Sequence, residues 1–567
     1  MNKQSFSTNK SFKFFLIIII ITAFFIRFAL IDKFPPGLYS DETALGYNSY
    51  SLLKSGRDEF GKSWPLSFES FGDYKPPMSA WLMIPSIAVF GLNELSVRLP
   101  SVIAGTLTVL IVFFLSKEIF NKKMLPFIAA ILIAISPWSI LFSRSSMLVG
   151  TEVMFTSGAL LFFLISIRRP IFLFLSSLCF AGAIYTYYGA RITVVLLILT
   201  LALIFKKELV KVKLYVIGSL ALGLILLSPL IFGIAKDPLI LTGRAKTISI
   251  FYDPGIKLKL WEAHTLDGQQ FPVYLSRFFH NKPYFYARDI VRRYLQHFSI
   301  DFLFLTGDPH PPFKIPNFGL IFVLDLPFFL YGLYLAIRNR NKKIMALTSY
   351  FFISPIAASL TFITPSANRS FNMIIGWTIL AAFGIFSSIN YFRSRYNILP
   401  KISVGFLTLG YLLLFGTFLY RYFISIPNTS PQIWHYGRKE LVSKILMVEN
   451  NYSQVVMSNK EGPAYIWLLF YKQYDPQKYW SSANVDHTPD NLGWIHVNSF
   501  DKYTFLEDLD WKNIEKKSGR LYVGYEEKIP ENWNGVIDGK MYKLVIDDRV
   551  LYPSGKTAFK IAHLSEK

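Results

Sequence analysis

Apolar runs long enough to cross a lipid bilayer recur along this chain, and they restrict it more than any other feature. About 20 apolar residues span the hydrocarbon core as a helix. In lipid every backbone N–H and C=O must be satisfied internally, so such runs have to be helical. The chain is 52% hydrophobic and 17% aromatic, which agrees with a protein that lies mostly in or near a membrane. Its formal net charge of +22 would also suit a nucleic-acid partner, but the positions of the charges argue against that reading. The excess sits in short clusters between apolar runs, at 117–123, 168–169, 206–213, 338–343 and 393–395. This is the pattern that fixes membrane orientation, with cations on the cytoplasmic side. The single cysteine, Cys179, lies inside an apolar run, so neither a disulfide framework nor a cysteine metal cluster can form within one chain.

The first run, Phe12–Leu30, follows a basic segment with Lys3, Lys10 and Lys13. It is long and lacks a small-residue cleavage site, so it is expected to stay as an uncleaved span with the N-terminus cytoplasmic. Charge parity then makes residues 32–78 an external loop and 117–123 internal. One crossing is needed between them, and there are two apolar pieces. Ser79–Phe90 is short and interrupted by Pro85, so it is expected to lie in the outer interface, with Arg98–Leu115 as the crossing. Further spans are expected at Leu125–Phe142, Val153–Ile167, Ile171–Tyr187, Ile192–Phe205, Leu214–Ile234, Phe318–Ile337, Ile344–Ile363, Phe371–Tyr391 and Ile402–Phe423. That gives a polytopic α-helical protein of about 11 crossings, up to 13, with large external pieces at 32–78, 235–317 and from 427 onward.

In the last piece the apolar density drops. "SQVVMS" (453–458) and "RLYVGY" (520–525) read as strands, and "GPAYIWLLFYKQY" (462–474) reads as a helix stopping before Asp475-Pro476. "KMYKLVID" and "KTAFKIAH" read as a closing strand pair. The expected organisation is therefore a membrane domain over 1–426 and a small extracytoplasmic α/β domain over 427–567.

All eight histidines fall in the external pieces, as do Asp41, Glu42 and Asp73. The chemistry is thus expected on the outer face, away from cytoplasmic nucleotide donors. The adjacent pair in "GLYSDETALG" (37–46) offers a general base or a cation ligand, and equally suits the first turn of a helix. In "GDYKPPMSAWL" (72–82), Lys75 places a cation at the membrane surface, where a lipid phosphate would lie or where a lysine would snorkel. Arg144, Arg191 and Arg369 each sit at the outer end of a span, against the orientation rule, and together suggest an anion site. In the loop at 288–313, Arg292, Arg293, His297 and His310 are candidate contacts to a phosphate or a metal. No two histidines share a clear helix face at ligand spacing, so a divalent metal finds little support and no cofactor is assigned.

These motifs are similar to those of the GT-C membrane glycosyltransferases, specifically the superfamily of protein O-mannosyltransferases and aminoarabinose lipid A transferases. The resemblance rests on a first span, the Asp-Glu pair, "YKPP" before a short helix, and "LNELSVRLPSVIAGTLTVLIVFFLSKEIF" (92–120). Looser likeness continues in "FLTGDPHPPFKIPNFGLIFVLDLPFFLYGL" and "PSANRSFNMIIGW", so that it covers most of 12–423. It implies transfer of a sugar from a polyprenyl-phosphate donor to an acceptor hydroxyl on the outer face, with inversion. The acceptor would be a protein, a lipid or a glycan. Asp41 matches the position of the family's base, Glu42 the acid that follows it, and Lys75 the lysine implicated in phosphate contact. The aminoarabinose transferases carry a glutamate just before that lysine as part of a metal site. Here that position is Tyr74, which puts a bound metal in doubt. The family also implies a prokaryotic plasma membrane. A transporter or lipid flippase is the principal alternative, and a non-catalytic envelope scaffold a third. Span centres nearly free of charge and the absence of a visible repeat argue against a transporter.

Overall fold

The computed structural model describes residues 10–252, 255–268, 270–488, 490 and 494–567. Lys3, one of the three lysines of the basic N-terminus, lies outside them. The chain divides into two compact units, Met1–Ala29 with Ser101–Leu419, and Leu30–Pro100 with Tyr420–Lys567.

The first unit is helical. Among the described residues six helices are long and apolar enough to cross a membrane: Lys10–Phe28, Glu94–Phe120, Val149–Ser166, Lys213–Lys236, Met373–Arg393 and Leu399–Thr429. Counting a bent pair as one span makes seven, and Met78–Phe90, Phe172–Thr186 and Ala190–Ile204 are shorter apolar helices. This is a multi-pass membrane protein. Several of the expected spans are shorter than the apolar runs that suggested them. Leu125–Phe142 is not one helix: it breaks at Ser136 into Leu125–Ile135 and Pro137–Arg144, inclined by 56°. Pro137 has no N–H to continue the first helix, and its ring drives Ser136 into an extended conformation. Ile344–Ile363 likewise stops at Ile353, before Ser354-Pro355. In Phe318–Ile337 the helix starts only at Asp325.

The break at Ser136 exposes carbonyls that a buried arginine satisfies. Arg27, fully buried, donates to the carbonyls of Ile133 (3.1 Å) and Ala134 (3.0 Å) and to the Ser139 hydroxyl (2.8 Å). In return Arg144 donates to the carbonyls of Ile26 (2.8 Å) and Arg27 (3.0 Å), at the end of the first helix. Arg27 thus caps the C-terminal end of Leu125–Ile135, and Arg144, at the end of the following helix, caps the end of the first helix, where the backbone dipole is negative in each case. Elsewhere close backbone approach replaces side-chain packing. A Cβ at Gly332 would lie 1.9 Å from the Leu380 carbonyl oxygen, and one at Gly384 would lie 1.9 Å from that of Phe328. Small residues let helices Asp325–Arg338 and Met373–Arg393 touch along their backbones.

The second unit starts with the helix Ser40–Ser55 and a two-stranded hairpin, β1 (Phe68–Ser70) and β2 (Asp73–Lys75). Its C-terminal portion is an eight-stranded sheet of β3 (Gln454–Ser458), β4 (Asn484–Asp486), β5 (His496–Phe500), β6 (Tyr503–Leu506), β7 (Arg520–Tyr525), β8 (Asn534–Ile537), β9 (Lys540–Leu551) and β10 (Thr557–Glu566). The spatial order is β4-β5-β6-β3-β7-β10-β9-β8. Among the described residues only β3 pairs in parallel, with β6 and β7 on either side, and the expected closing pair is the antiparallel β9–β10. The helix Ala464–Tyr471 is buried along its length and packs between sheet and membrane-proximal helix: Trp467 Nε1 donates to the Leu38 carbonyl (3.2 Å), and Tyr47 Oη donates to the Tyr474 carbonyl (3.0 Å).

Replacing Gly384 by valine would put side-chain atoms inside the Phe328 carbonyl, and backbone cannot rotate away as a side chain can. Overpacking of this kind costs about 1–3 kcal/mol or more. Thermal unfolding of the detergent-solubilised protein should therefore show a lowered midpoint for Gly384→Val and little change for Gly405→Val, where no atom of the described residues lies within 4 Å of an added Cβ.

Candidate active site

Helix Ser40–Ser55 has its start fixed by its own sequence. Asp41 and Glu42 occupy the first turn, where carboxylates complement the dipole. The Glu42 side chain reaches back to accept from the Tyr39 N–H (3.1 Å), and Gly56, in the left-handed region at φ +70°, ends the helix. The two acids then part company. Glu42 is fully buried and meets the Arg98 guanidinium, with Nε 3.2 Å from Oε1 and Nη2 3.3 Å from Oε2. Arg98, itself fully buried, also donates to the carbonyls of Ile31 (3.0 Å), Pro35 (3.1 Å) and Gly37. Glu42 is therefore spent on anchoring the segment that delivers Asp41.

Asp41 faces outward, 41% exposed, and its Oδ1 lies 3.2 Å from Lys75 Nζ. Lys75 is only 3% exposed and also lies 3.5 Å from Asp73 Oδ2. The hairpin places it there. Phe71 and Gly72 take positive φ at its two-residue turn, as a tight hairpin requires. β2 then carries Asp73, Tyr74 and Lys75 back, and Pro76 holds Lys75 extended. The ammonium sits 5.4 Å from the Phe71 ring centroid. Tyr74 donates its N–H to Asp73 Oδ1 (2.9 Å).

Behind this pair is a buried acidic turn that the sequence reading did not single out. Asp58 and Glu59 are both fully buried. Asp58 Oδ1 accepts from the N–H groups of Phe60 (3.0 Å) and Lys62 (2.8 Å). Glu59 Oε1 accepts from the Ser70 hydroxyl (2.9 Å), and the Glu59 N–H donates to Asn48 (2.9 Å). Burial pushes the Glu59 carboxyl up to about 8, against the pull of Lys75, and raises Asp58 as well. Arg98 was missed too, although a lone cation inside an apolar run is a signal of function or pairing.

The other candidate residues lie in the first unit. Arg144 is fully buried on the helix ends described above. Arg191 stacks 4.3 Å from the Tyr188 ring and donates to the Ile240 carbonyl (2.9 Å), and two of its buried nitrogens, Nε and Nη2, have no hydrogen-bond partner among the described residues. Arg369 donates to the Ile363 carbonyl (3.3 Å). Arg293 is gripped by Asp289 (2.5 Å) and the Thr361 carbonyl (3.1 Å), while the more exposed Arg292 also pairs with Asp289 (2.7 Å). Asp308 fixes its loop by accepting from the N–H groups of His310 (2.6 Å) and Ala367 (2.5 Å), and burial raises it to about 6. His297 donates to the Arg293 carbonyl and accepts from the Ser366 N–H, and burial holds it down to about 4 as a neutral ring. The His310 ring packs against Phe313 at 5.2 Å. Among the described residues no group of three or more His, Cys, Asp and Glu side chains is placed to hold a metal. Between Asp41 and Asp73 the cation is the Lys75 ammonium, so this donor set does not fit a divalent ion.

Residues 74–232 match the sequence profile of the dolichyl-phosphate-mannose-protein mannosyltransferase family. No curated protein matches the chain. Among solved structures it resembles ArnT from Cupriavidus metallidurans bound to undecaprenyl phosphate, at 12% identity and a TM-score of 0.56 over 98% of both chains. It also resembles the oligosaccharyltransferase AglB from Archaeoglobus fulgidus, in complex with an inhibitory peptide and a dolichol-phosphate, at 14% identity and a TM-score of 0.51. That alignment covers 82% of this chain and 64% of the archaeal one, so the chain spans just under two thirds of AglB's length. The protein is thus a polytopic membrane protein with the fold of the GT-C glycosyltransferase superfamily, as the motifs around Asp41 and Lys75 implied.

Two outcomes follow from this geometry. Removing one partner of a buried ion pair costs about 3–5 kcal/mol, because the other charge is left uncompensated. Arg98→Met and Glu42→Gln should each lower the unfolding midpoint strongly, and the double variant should lose less than the sum of the two. For Glu59 the raised folded-state value means that the folded protein keeps a proton that the unfolded chain releases above about 4.5. Its contribution to stability should fall as pH rises from about 4.5 to about 8. Glu59→Gln should flatten that part of the midpoint-versus-pH curve, and an unchanged slope would show that the carboxyl is ionised in the fold.

Proposed function

We propose that this protein is a membrane glycosyltransferase that moves a sugar from a polyprenyl-phosphate donor to an acceptor hydroxyl at the extracytoplasmic face. The observation that carries this reading is the pairing of an accessible carboxylate, Asp41, with a buried cation, Lys75, 3.2 Å away. The matched mannosyltransferase segment includes Lys75 but starts after Asp41. The solved relatives hold dolichol-phosphate or undecaprenyl phosphate, which supports a lipid-linked donor here.

In this reading Asp41 takes the proton of the acceptor hydroxyl as its oxygen attacks the anomeric carbon. The bond to the phosphate oxygen breaks on the opposite side, so configuration inverts. The bonding electrons leave with polyprenyl phosphate, whose negative charge grows in the transition state. Lys75 is buried and pre-placed to meet that charge, which makes its interaction stronger than the same contact in water. A phosphate leaving group needs no proton, so one base suffices. Arg144 is engaged by the carbonyls of Ile26 and Arg27, and Arg191 and Arg369 belong to the other unit, so the reading rests on Asp41 and Lys75. The helix Met78–Phe90 follows Lys75 directly and leaves Val89 and Phe90 exposed, a surface for the prenyl chain. Orientation follows the charge clusters, with the N-terminus cytoplasmic and the α/β domain outside, in a plasma membrane.

The test is release of free polyprenyl phosphate from a panel of polyprenyl-phosphate sugars by the purified protein in nanodiscs. Loss of a general base costs about 100- to 10,000-fold. Asp41→Asn should lose release by that factor, and Lys75→Met should lower kcat with little change in donor binding. Release by Asp41→Asn at the wild-type rate would remove Asp41 from the role of base. Donor binding without release in any variant would favour a lipid flippase.

A further inference from the structure

The sheet of the second unit has two unlike faces. Tyr503 and Phe505 of β6 point to the face covered by helix Ala464–Tyr471, where Phe505 meets the Tyr465 ring at 6.4 Å. Because side chains alternate along a strand, Gln454 and Val456 of β3, Thr504 and Leu506 of β6, and Arg520 and Tyr522 of β7 share the other face. The segment between β6 and β8 folds back over part of that face. Leu509, Trp511, Ile514, Ile529 and Trp533 make a small core there with Val456 and Tyr522. The cover is incomplete. Beside it lies a groove of about 590 Å³, floored by Gln454, Thr504 and Leu506 and walled by Asp508, Asn513, Glu515 and Arg520. That is within the size range of small-ligand sites, about 300–1,000 Å³.

The floor is the unusual part. β3 is an inner strand, and inner strands covered on both faces are ordinarily apolar. Here Gln454 Nε2 instead donates to the Thr504 hydroxyl (2.7 Å) across the groove floor. That leaves the carbonyl oxygen of Gln454 as an acceptor, and the Asn513 amide stands on the wall above. The charges around the groove are mostly neutralised: Asp508 pairs with Lys528 (2.5 Å), and Glu515 pairs with Lys517 (2.8 Å) and Arg520 (3.4 Å). Only Glu507, on the exposed rim, makes no ion pair among the described residues. A cavity that sets amide, carboxylate and guanidinium groups, nearly balanced in charge, beside the apolar surfaces of Val456, Ile514 and Tyr522 suits a neutral polyhydroxylated ligand, with its hydroxyls and its C–H faces, better than a phosphate or a charged peptide. An extended peptide is disfavoured on a second ground. β3 is hydrogen-bonded on both edges, by β6 and β7, so no backbone is left in the groove for a peptide strand to pair with.

We infer that this groove is a carbohydrate-binding site that takes a neutral glycan segment. It lies on the face of the sheet opposite helix Ala464–Tyr471, against which the Asp41-bearing helix packs, so it is distinct from the Asp41–Lys75 pair. The inference does not depend on the transfer chemistry.

The experiment is titration of the full-length protein in nanodiscs with neutral oligosaccharides of hexose, N-acetylhexosamine and deoxyhexose units, read by saturation-transfer NMR and by hydrogen exchange of residues 504–515. The expected result is saturable binding that protects this segment. Loss of one hydrogen bond corresponds to about tenfold in affinity, so Asn513→Ala and Gln454→Leu should each weaken binding by about that factor. Asn513 is exposed, so Asn513→Ala should keep the wild-type unfolding midpoint and separates lost binding from lost folding. Asp41→Asn should bind the oligosaccharide as the wild type does, so failure of the proposed base and failure of this site give different results. No binding across the panel, binding indifferent to both groove variants, or protection of 504–515 by a hydroxyl-rich peptide alone would each overturn the assignment.

Discussion

The candidate site depends on a fully buried ion pair. Glu42 and Arg98 are 56 residues apart, and burying each charge costs several kcal/mol unless the other compensates it. Once they meet, Arg98 has donors to spare, and it uses them on the carbonyls of Ile31, Pro35 and Gly37. The segment leaving the first span is thereby tied to the start of helix Glu94–Phe120, and the helix Ser40–Ser55 begins at a fixed point. Asp41 is held at that helix start without being consumed by it. One acid of the adjacent pair makes the structure so that its neighbour can stay accessible.

The same economy governs the cation. Lys75 is nearly inaccessible and lies between Asp41 and Asp73 at 3.2 and 3.5 Å, with the Phe71 ring on another side. A lysine on a flexible surface would lose side-chain entropy each time it met an anion. This one has already lost it on folding, through a two-residue turn and a proline that leaves its backbone little choice. Glu59, buried and pushed up to about 8, contributes a group that is largely uncharged at neutral pH. The cluster consequently does not accumulate three carboxylate charges around a single ammonium.

How far the sequence foretold this varies with the range of the interaction. Local signals were readable: the helix start at Asp41-Glu42, the strands at 454–458 and 520–525, and the β9–β10 pair all rest on neighbours within a few residues. Most spans were readable as well, since apolarity is a property of the segment itself. What failed to show was partnership. "RDEFGKSW" has the composition of a solvated loop, yet Asp58 and Glu59 are buried, because helix Ser40–Ser55 and the β1 strand close over them through Asn48 and Ser70. The apolar run 125–142 gave no sign that Pro137 would start a new helix instead of kinking an old one. The outer-end arginines looked alike in sequence, whereas in the fold Arg144 is a helix cap and Arg191 stacks on Tyr188.

The capping of Leu125–Ile135 by Arg27 also has a consequence for how the chain is made. Arg27 lies on the helix Lys10–Phe28, but carbonyls it satisfies belong to Ile133 and Ala134, synthesised more than a hundred residues later. During that interval its guanidinium has only the Ala23 carbonyl of its own helix (3.1 Å), and its remaining donors have to reach the lipid headgroups, as long cationic side chains do. The first helix thus enters the membrane in a provisional state, and its final seat is set only when the broken helix at Ser136 arrives. Order of synthesis and order of packing are therefore different in this protein, and the arginine that looks like a flaw in the first span is what brings the two into register.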